Sequence, residues 1–378
     1  MAVKTGEQIG WIDLLRIIAC FLVIVSHCCD PFVGQLNNNY PEFLTGVLIG
    51  SFVRPCVPLF VMMSAVLLLP VNLDMRTFYS KRAKRLFFPF LFWSLVLPIL
   101  YFVYVNSGIP MISPNIDLAD YTLAETLRKM YTFIFNFNYD TTALWYVYML
   151  IGLYLFMPIL SAWLKQADKR DIQYFLIFFM IGSSLLYIQV LAPYLGFQGY
   201  GGNPGLWGVC DWNVYGTFYY FSGFIGYVVL AYYLVTYPFN WSWKHTICTG
   251  VFLFLVGYAI TASVFINMQQ HFPGDFTKLE IPWSFTGINV LLMTFGVFII
   301  MQKLKIQSSP LLKKSAGLTY GIYLCHFIIV QMGYDLIYPN IPVPAFLKII
   351  LMAVFTFGIS YAITWLMSLN KLTRRFVM

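Results

Sequence analysis

Residues Trp11–Ser26, WIDLLRIIACFLVIVS, decide the fold class. Only Asp13, Arg16 and Ser26 interrupt an otherwise apolar run. Similar runs of about 20 residues, the span that a bilayer core demands, recur along the whole chain. They read as helices rather than barrel strands, which would alternate over segments of about ten residues. The position of the first run near the N-terminus invites a signal-peptide reading. Asp13 and Arg16 break its front end, however, and no small-x-small pattern follows His27, so it reads as a retained first helix.

Working outward from that stretch, the sequence predicts an all-α integral membrane protein. Its ten transmembrane helices lie near 11–29, 47–70, 86–106, 143–163, 173–192, 215–237, 246–267, 283–303, 316–337 and 345–368. No repeat or linker interrupts the pattern, so one domain is expected over 1–378, with its motif-bearing core at about 10–368. The chain is 60% hydrophobic and 10% charged, where a soluble domain carries about a quarter charged residues. That deficit leaves no stretch for a water-soluble domain of ordinary size.

The formal charge of +8 does not point to nucleic acid, because the cations sit in short loops between apolar runs. Most of the 23 basic residues fall on alternate loops if the N-terminus is inside: Lys4, then Arg76, Lys81, Arg82, Lys84 and Arg85, then Lys165, Lys169 and Arg170. Lys244, then Lys303, Lys305, Lys313 and Lys314, and finally Lys371, Arg374 and Arg375 continue the series. The opposite loops keep little beyond Arg128, Lys129 and Lys278, so the positive-inside rule predicts both termini in the cytoplasm.

The expected outer segment 193–214 is rich in glycine and aromatics (Gly196, Gly199, Gly201, Gly202, Gly205, Trp207, Trp212). Such rings serve as interfacial anchors or stack on sugars. Of the seven cysteines, Cys20, Cys28, Cys56, Cys248 and Cys325 lie in or beside apolar runs and none has metal-ligand spacing. They read as small apolar residues, and no metal site is expected.

Ionisable groups inside a membrane helix are expensive, and so they are functional candidates. Arg16 and His27 are eleven residues apart, almost three turns, which puts them on one face roughly 16 Å apart along the axis. Asp13 precedes Arg16 by three and shares its face, and Asp30 follows His27 by three, where it can orient or charge the imidazole. The plain alternatives are an arginine snorkelling to the headgroups and an interfacial histidine. Arg82 and Arg85 also share a face and could clamp a phosphorylated cytosolic ligand, or serve only as topology charges. In the ninth predicted helix, Tyr320, Tyr323 and the membrane-embedded His326 define no reaction by themselves. No nucleophile elbow, phosphate-binding loop or zinc-protease motif occurs.

Taken in order, these segments resemble the acyltransferase 3 family of bacterial integral membrane O-acyltransferases. Arg16 with ten residues to His27 resembles its signature. Pro55-Cys-Val-Pro58-Leu-Phe60 to Ser64-Ala65 resembles its Val-Pro-Leu-Phe-Phe-x-x-Ser-Gly stretch, and Arg82-x-x-Arg85 its Arg-x-x-Arg motif. Leu144-Trp145-Tyr146 resembles its Leu-Trp-Phe segment, and Tyr320-Gly-Ile-Tyr323-Leu-x-His326 its Gly-Ile-Tyr-x-x-His segment. The arrangement is most similar to short single-domain members of the enterobacterial common antigen O-acetyltransferase kind. Ala143 stands where the family often has histidine, and Ala65 where it has glycine.

The resemblance implies an enzyme of the bacterial inner membrane. It would move an acyl group, acetyl by family habit, from cytosolic acyl-CoA to a hydroxyl of a cell-surface or lipid-linked glycan. The acyl-CoA is a co-substrate, and no tightly bound cofactor is implied. Arg82 and Arg85 would hold its phosphates, Arg16 would position the arm or stabilise the oxyanion, and His27, with Asp30 behind it, would act as base. Asp13, Ser64, Trp145, Tyr320, Tyr323 and His326 are further site candidates. An acyl-histidine intermediate competes with the general-base route. A flippase for a lipid-linked glycan is the alternative function. It would call for inverted repeats or broken helices, and neither is legible in the sequence. A non-catalytic partner of a glycan synthase is the third reading, for which the Arg16–His27 stripe would be dispensable.

Overall fold

The computed structural model describes residues 10–113, 116–132, 135, 138–197, 199, 205–210 and 212–378. Lys4, Gly201 and Gly202, which figure in the sequence reading, lie outside them. The described residues form helices and turns with no β-strand. The α-helices are α1 (Gly10–Val33), α2 (Tyr40–Phe52), α3 (Cys56–Leu68), α4 (Met75–Val105), α5 (Leu123–Thr132), α6 (Trp145–Gln166) and α7 (Lys169–Leu191). They continue as α8 (Ile225–Thr236), α9 (Trp243–His271), α10 (Phe276–Trp283), α11 (Ile288–Lys303), α12 (Pro310–Ile337), α13 (Ala345–Leu369) and the short α14 (Lys371–Arg374).

Nine helical segments among the described residues are long and apolar enough to cross a membrane. The sixth predicted span, 215–237, is the exception. Its α-helical part, Ile225–Thr236, has 12 residues and is about 18 Å long, well short of a bilayer core of about 30 Å. Gly216–Phe221 forms a tight 3-10 turn instead, and Gly223 at φ 79° separates it from α8. Two other predicted spans are broken, a feature that was not legible in the sequence. Val53–Pro55 separates α2 from α3, because a proline supplies no backbone N–H and clashes with the preceding turn. Ser284–Gly287 separates α10 from α11.

Polar residues at the loop ends set where the helices begin. Asn39 caps α2, Asp168 caps α7, Ser242 caps α9 and Ser309 caps α12, each accepting from a backbone N–H of the first turn. Asp74 caps α4, and hydrogen bonds from the side chain and backbone N–H of Thr77 hold its carboxyl below the usual range.

The helices assort into two compact units whose segments interleave along the chain. One comprises residues up to 15, 54–71 and 159–307, and the other 16–53, 72–158 and 308–378. In the first, α9 and α11 approach closely because Gly250 and Gly296 face each other. A Cβ on Gly296 would collide with the Gly250 carbonyl, so only small residues fit. Asn289 of α11 donates to Thr261 Oγ1 and to the Pro282 carbonyl, each at 2.7 Å. Tyr227 of α8 donates to the Phe285 carbonyl at 2.7 Å.

In the second unit, α12 is the central helix and packs on α4 and α13. Most of its length from Leu318 to Ile337 is buried. Tyr104 of α4 donates to Asp335 of α12 at 2.8 Å, and Tyr320 of α12 donates to the Leu86 carbonyl of α4 at 3.0 Å. Both residue numbers rise from one tie to the other, so α4 and α12 run parallel. The segment after α14 returns to this unit: Phe376 stacks on Phe92 at 4.3 Å, and Val377 is buried against Gly321.

Candidate functional site

Helix α1 supplies the second unit with its imidazole. The Cys20 thiol donates to the Thr319 carbonyl at 3.6 Å, and seven residues further along each helix the rings of His27 and His326 lie 5.3 Å apart. The equal spacing means that α1 and α12 run side by side in parallel, and this brings the two histidines together. His27 Nδ1 is 3.1 Å from Asp30 Oδ2. A carboxylate only accepts, so Nδ1 carries the proton and Nε2 keeps its lone pair when the ring is neutral. The His27 side chain is 24% exposed and that of Asp30 46%, which leaves this pair open to a ligand.

His326 is fully buried. Its Nδ1 lies 2.6 Å from the Tyr323 carbonyl, which again places the proton on Nδ1. Its Nε2 has no hydrogen-bond partner among the described residues. Tyr323 donates in turn to the carbonyl of Ala143 and packs edge-on against Tyr146 at 5.4 Å. Ala143 therefore contributes its backbone at a position where its side chain offers no chemistry. The Phe327 ring lies 5.2 Å from His27, and Tyr139 packs on Phe327 at 5.6 Å.

The arginines occupy a different level of the same unit. Arg16 lies four residues before Cys20, and Arg82 four before Leu86, about 6 Å in each case. Cys20 is tied to Thr319 and Leu86 to Tyr320, neighbouring positions on α12. Arg16 and Arg82 therefore sit at nearly the same height along parallel helices. His326 is six residues beyond Tyr320, so the histidines lie about 15 Å from the arginine level. Arg82 is half-buried, with its guanidinium 5.6 Å from the Phe78 ring and no hydrogen-bond partner for its Nε among the described residues. Arg85 is exposed.

The second unit thus holds His27, Asp30, Tyr323 and His326 as one cluster, with Arg16, Arg82, Arg85 and Tyr320 toward one end. Trp145 is half-buried beside Tyr146. Asp13 and Ser64, both half-buried, belong to the other unit. The aromatic segment belongs to the other unit, and there Trp212 is 91% exposed and Trp207 about half exposed. Among the described residues no group of three or more histidine, cysteine or carboxylate side chains could hold a metal ion.

Three charged groups escaped the sequence reading. Arg54 is buried in the first unit at the α2–α3 break, with its guanidinium 3.8 Å from the Trp283 ring centre and 5.4 Å from that of Phe285. The signal was a cation inside a predicted span. Asp140 is buried and pairs with Lys129 at 3.0 Å, although Lys129 reads from sequence as a loop cation. Asp335 accepts from Tyr104, from Gln331 and from the Ile112 N–H, and so fixes the segment after α4 to α12. An acid inside a predicted span was the only hint.

Comparison with known families places residues 9–365 within a family described as an acyltransferase domain, the acyltransferase 3 family of the sequence resemblance. No curated protein and no solved structure matches the chain.

Proposed function

The chain belongs to the acyltransferase 3 family, a family of membrane acyltransferases, and on that premise we propose that it is an O-acyltransferase with acyl-CoA as donor and a glycan hydroxyl as acceptor. The acyl group is acetyl and the acceptor a cell-surface or lipid-linked glycan of the bacterial envelope, in the manner of enterobacterial common antigen acetylation. The observation that carries this reading is the separation in level between the arginines and the His27–Asp30 pair. An anionic nucleotide held at one end can present a thin thioester arm to a base about 15 Å away along the helices.

With both termini in the cytoplasm, the arginine level faces the cytosol and His27 faces the acceptor side of the inner membrane. Arg82 and Arg85 hold phosphate oxygens, and Arg16 holds the arm. His27 Nε2 takes the proton of the sugar hydroxyl as its oxygen attacks the thioester carbonyl, while Asp30 stabilises the developing imidazolium. The new C–O bond forms and the C–S bond breaks. The departing thiolate then takes the proton back from His27. An acyl-histidine route differs in leaving label on the protein when acceptor is withheld.

The helix breaks at Val53–Pro55 and Ser284–Gly287 are a feature that a flippase would share. A flippase moves glycan without acylating it. The deciding experiment supplies the purified chain in nanodiscs with radiolabelled acetyl-CoA and a crude envelope-glycan extract. Label recovered in glycan supports the acyltransferase, and glycan that stays unlabelled contradicts it.

A further inference from the structure

Helix α5 turns its apolar side away from the protein. Leu123, Leu127 and Tyr131 recur every four residues and form one stripe, and they are 63%, 56% and 84% exposed. The flank that meets the protein is polar. Thr126 and Lys129 are buried there, with Lys129 Nζ 3.0 Å from Asp140 and 3.9 Å from the centre of the Tyr121 ring. Arg128, at the edge of the stripe, is 61% exposed and pairs with Glu125 at 2.7 Å.

A helix that packs by its polar flank and exposes its leucines is built for an apolar neighbour. Its place in the fold says which. Asn106, just past the end of α4, donates to the Tyr121 carbonyl at 3.0 Å, and so ties the start of α5 to the Val105 end of α4. The last turns of α4 expose Ile99, Leu100 and Val103, the apolar wall of a membrane span. Leu118, in the turn before α5, is 65% exposed and extends the surface. The stripe therefore begins beside the Val105 end of α4, where the exposed apolar face of that span ends.

We propose that α5 is an interfacial helix that lies in the leaflet at the Val105 end of α4. Leu123, Leu127 and Tyr131 enter the boundary between headgroups and acyl chains, and Arg128 and Glu125 stay among the headgroups. Phospholipid is the occupant. The Lys129–Asp140 pair fastens the docked helix to the turn Tyr139–Leu144, whose Tyr139 ring packs on Phe327 beside His27.

The test uses the full chain in nanodiscs that contain only phospholipid and one copy of the protein. Leu127→Cys and Arg128→Cys variants are treated with a membrane-impermeant maleimide, and labelling is read at each introduced cysteine by mass spectrometry, which separates it from the native thiols. Residue 128 should react at least about tenfold faster than residue 127. Nitroxides placed at 123, 127 and 131 should collide with oxygen in preference to a water-soluble nickel chelate, and a nitroxide at 128 should show the reverse. Equal labelling at 127 and 128, with nickel-accessible probes along the stripe, would overturn the proposal and leave the surface to a protein partner.

Discussion

The imidazoles of His27 and His326 lie 5.3 Å apart, yet they sit in opposite surroundings. His27 is partly open and faces a carboxylate, whereas His326 is sealed in the helix core with its Nδ1–H bound to the Tyr323 carbonyl. Asp30 holds the Nδ1–H of His27 and leaves its Nε2 toward the open side, whereas the Tyr323 carbonyl fixes the ring of His326 inside the core. The first ring is therefore suited to take up a proton and the second to hold its neighbour in place.

The Asp30 carboxylate should matter through His27 alone. Asp30→Asn keeps the side-chain shape but removes the charge that, in the proposed mechanism, stabilises the imidazolium. Acyl transfer should slow by about 10²-fold while the KM for acyl-CoA is unchanged. Steady-state kinetics with the donor varied at saturating acceptor would check this, and an unaltered kcat would make Asp30 a surface residue.

The arginine level should affect the donor and leave the chemistry alone. Arg82→Ala should raise the KM for acyl-CoA by about tenfold with kcat kept within a few-fold, since it removes binding that ground and transition states share. A fall in kcat at constant KM would place Arg82 at the reacting atoms instead.

The Lys129–Asp140 pair is buried, so removing one partner strands a charge. Lys129→Met or Asp140→Leu alone should each destabilise the protein by about 3–5 kcal/mol, whereas the two substitutions together should recover much of the loss. Thermal unfolding of the four proteins in one lipid environment gives the coupling directly.

The Arg54 guanidinium lies over the Trp283 ring, 3.8 Å from its centre. Arg54→Lys keeps the charge but loses the planar contact, so it should not restore the stability lost in Arg54→Ala, a loss of about 2 kcal/mol or more from the cation–π contact. Equal unfolding midpoints for Arg54→Lys and the parent chain would show that charge alone is needed.

Much of this was legible because membrane proteins write their constraints in long apolar runs and in the placement of charge. Trp11–Ser26 announced a span, and the Arg16–His27 interval announced a polar face on it, because helical spacing converts residue number directly into height. The pairing of His27 with Asp30 followed from the same arithmetic. What stayed hidden depends on contacts between distant segments. Nothing local to Ser315–Phe327 says that α12 runs beside α1 in a register that brings His326 to His27. The α2–α3 break was masked because the apolar runs on either side of Val53–Pro55 read as one span in spite of Arg54. Ile225–Thr236 looked longer because the aromatic turn before it is as hydrophobic as a helix. Lys129 read as a loop charge because its partner Asp140 lies eleven residues away, across a loop. The interleaving of the two units leaves no boundary in the chain for composition to mark.

In the proposed mechanism His27 moves the proton of the acceptor hydroxyl during acyl transfer, and this step depends on no other residue so heavily. It is tested most directly by the initial rate of label transfer from radiolabelled acetyl-CoA to envelope glycan for the parent chain and for His27→Ala with a matched unfolding midpoint. The variant should lose about 10³-fold or more of the transfer rate. Transfer at the parent rate by well-folded His27→Ala would contradict that mechanism.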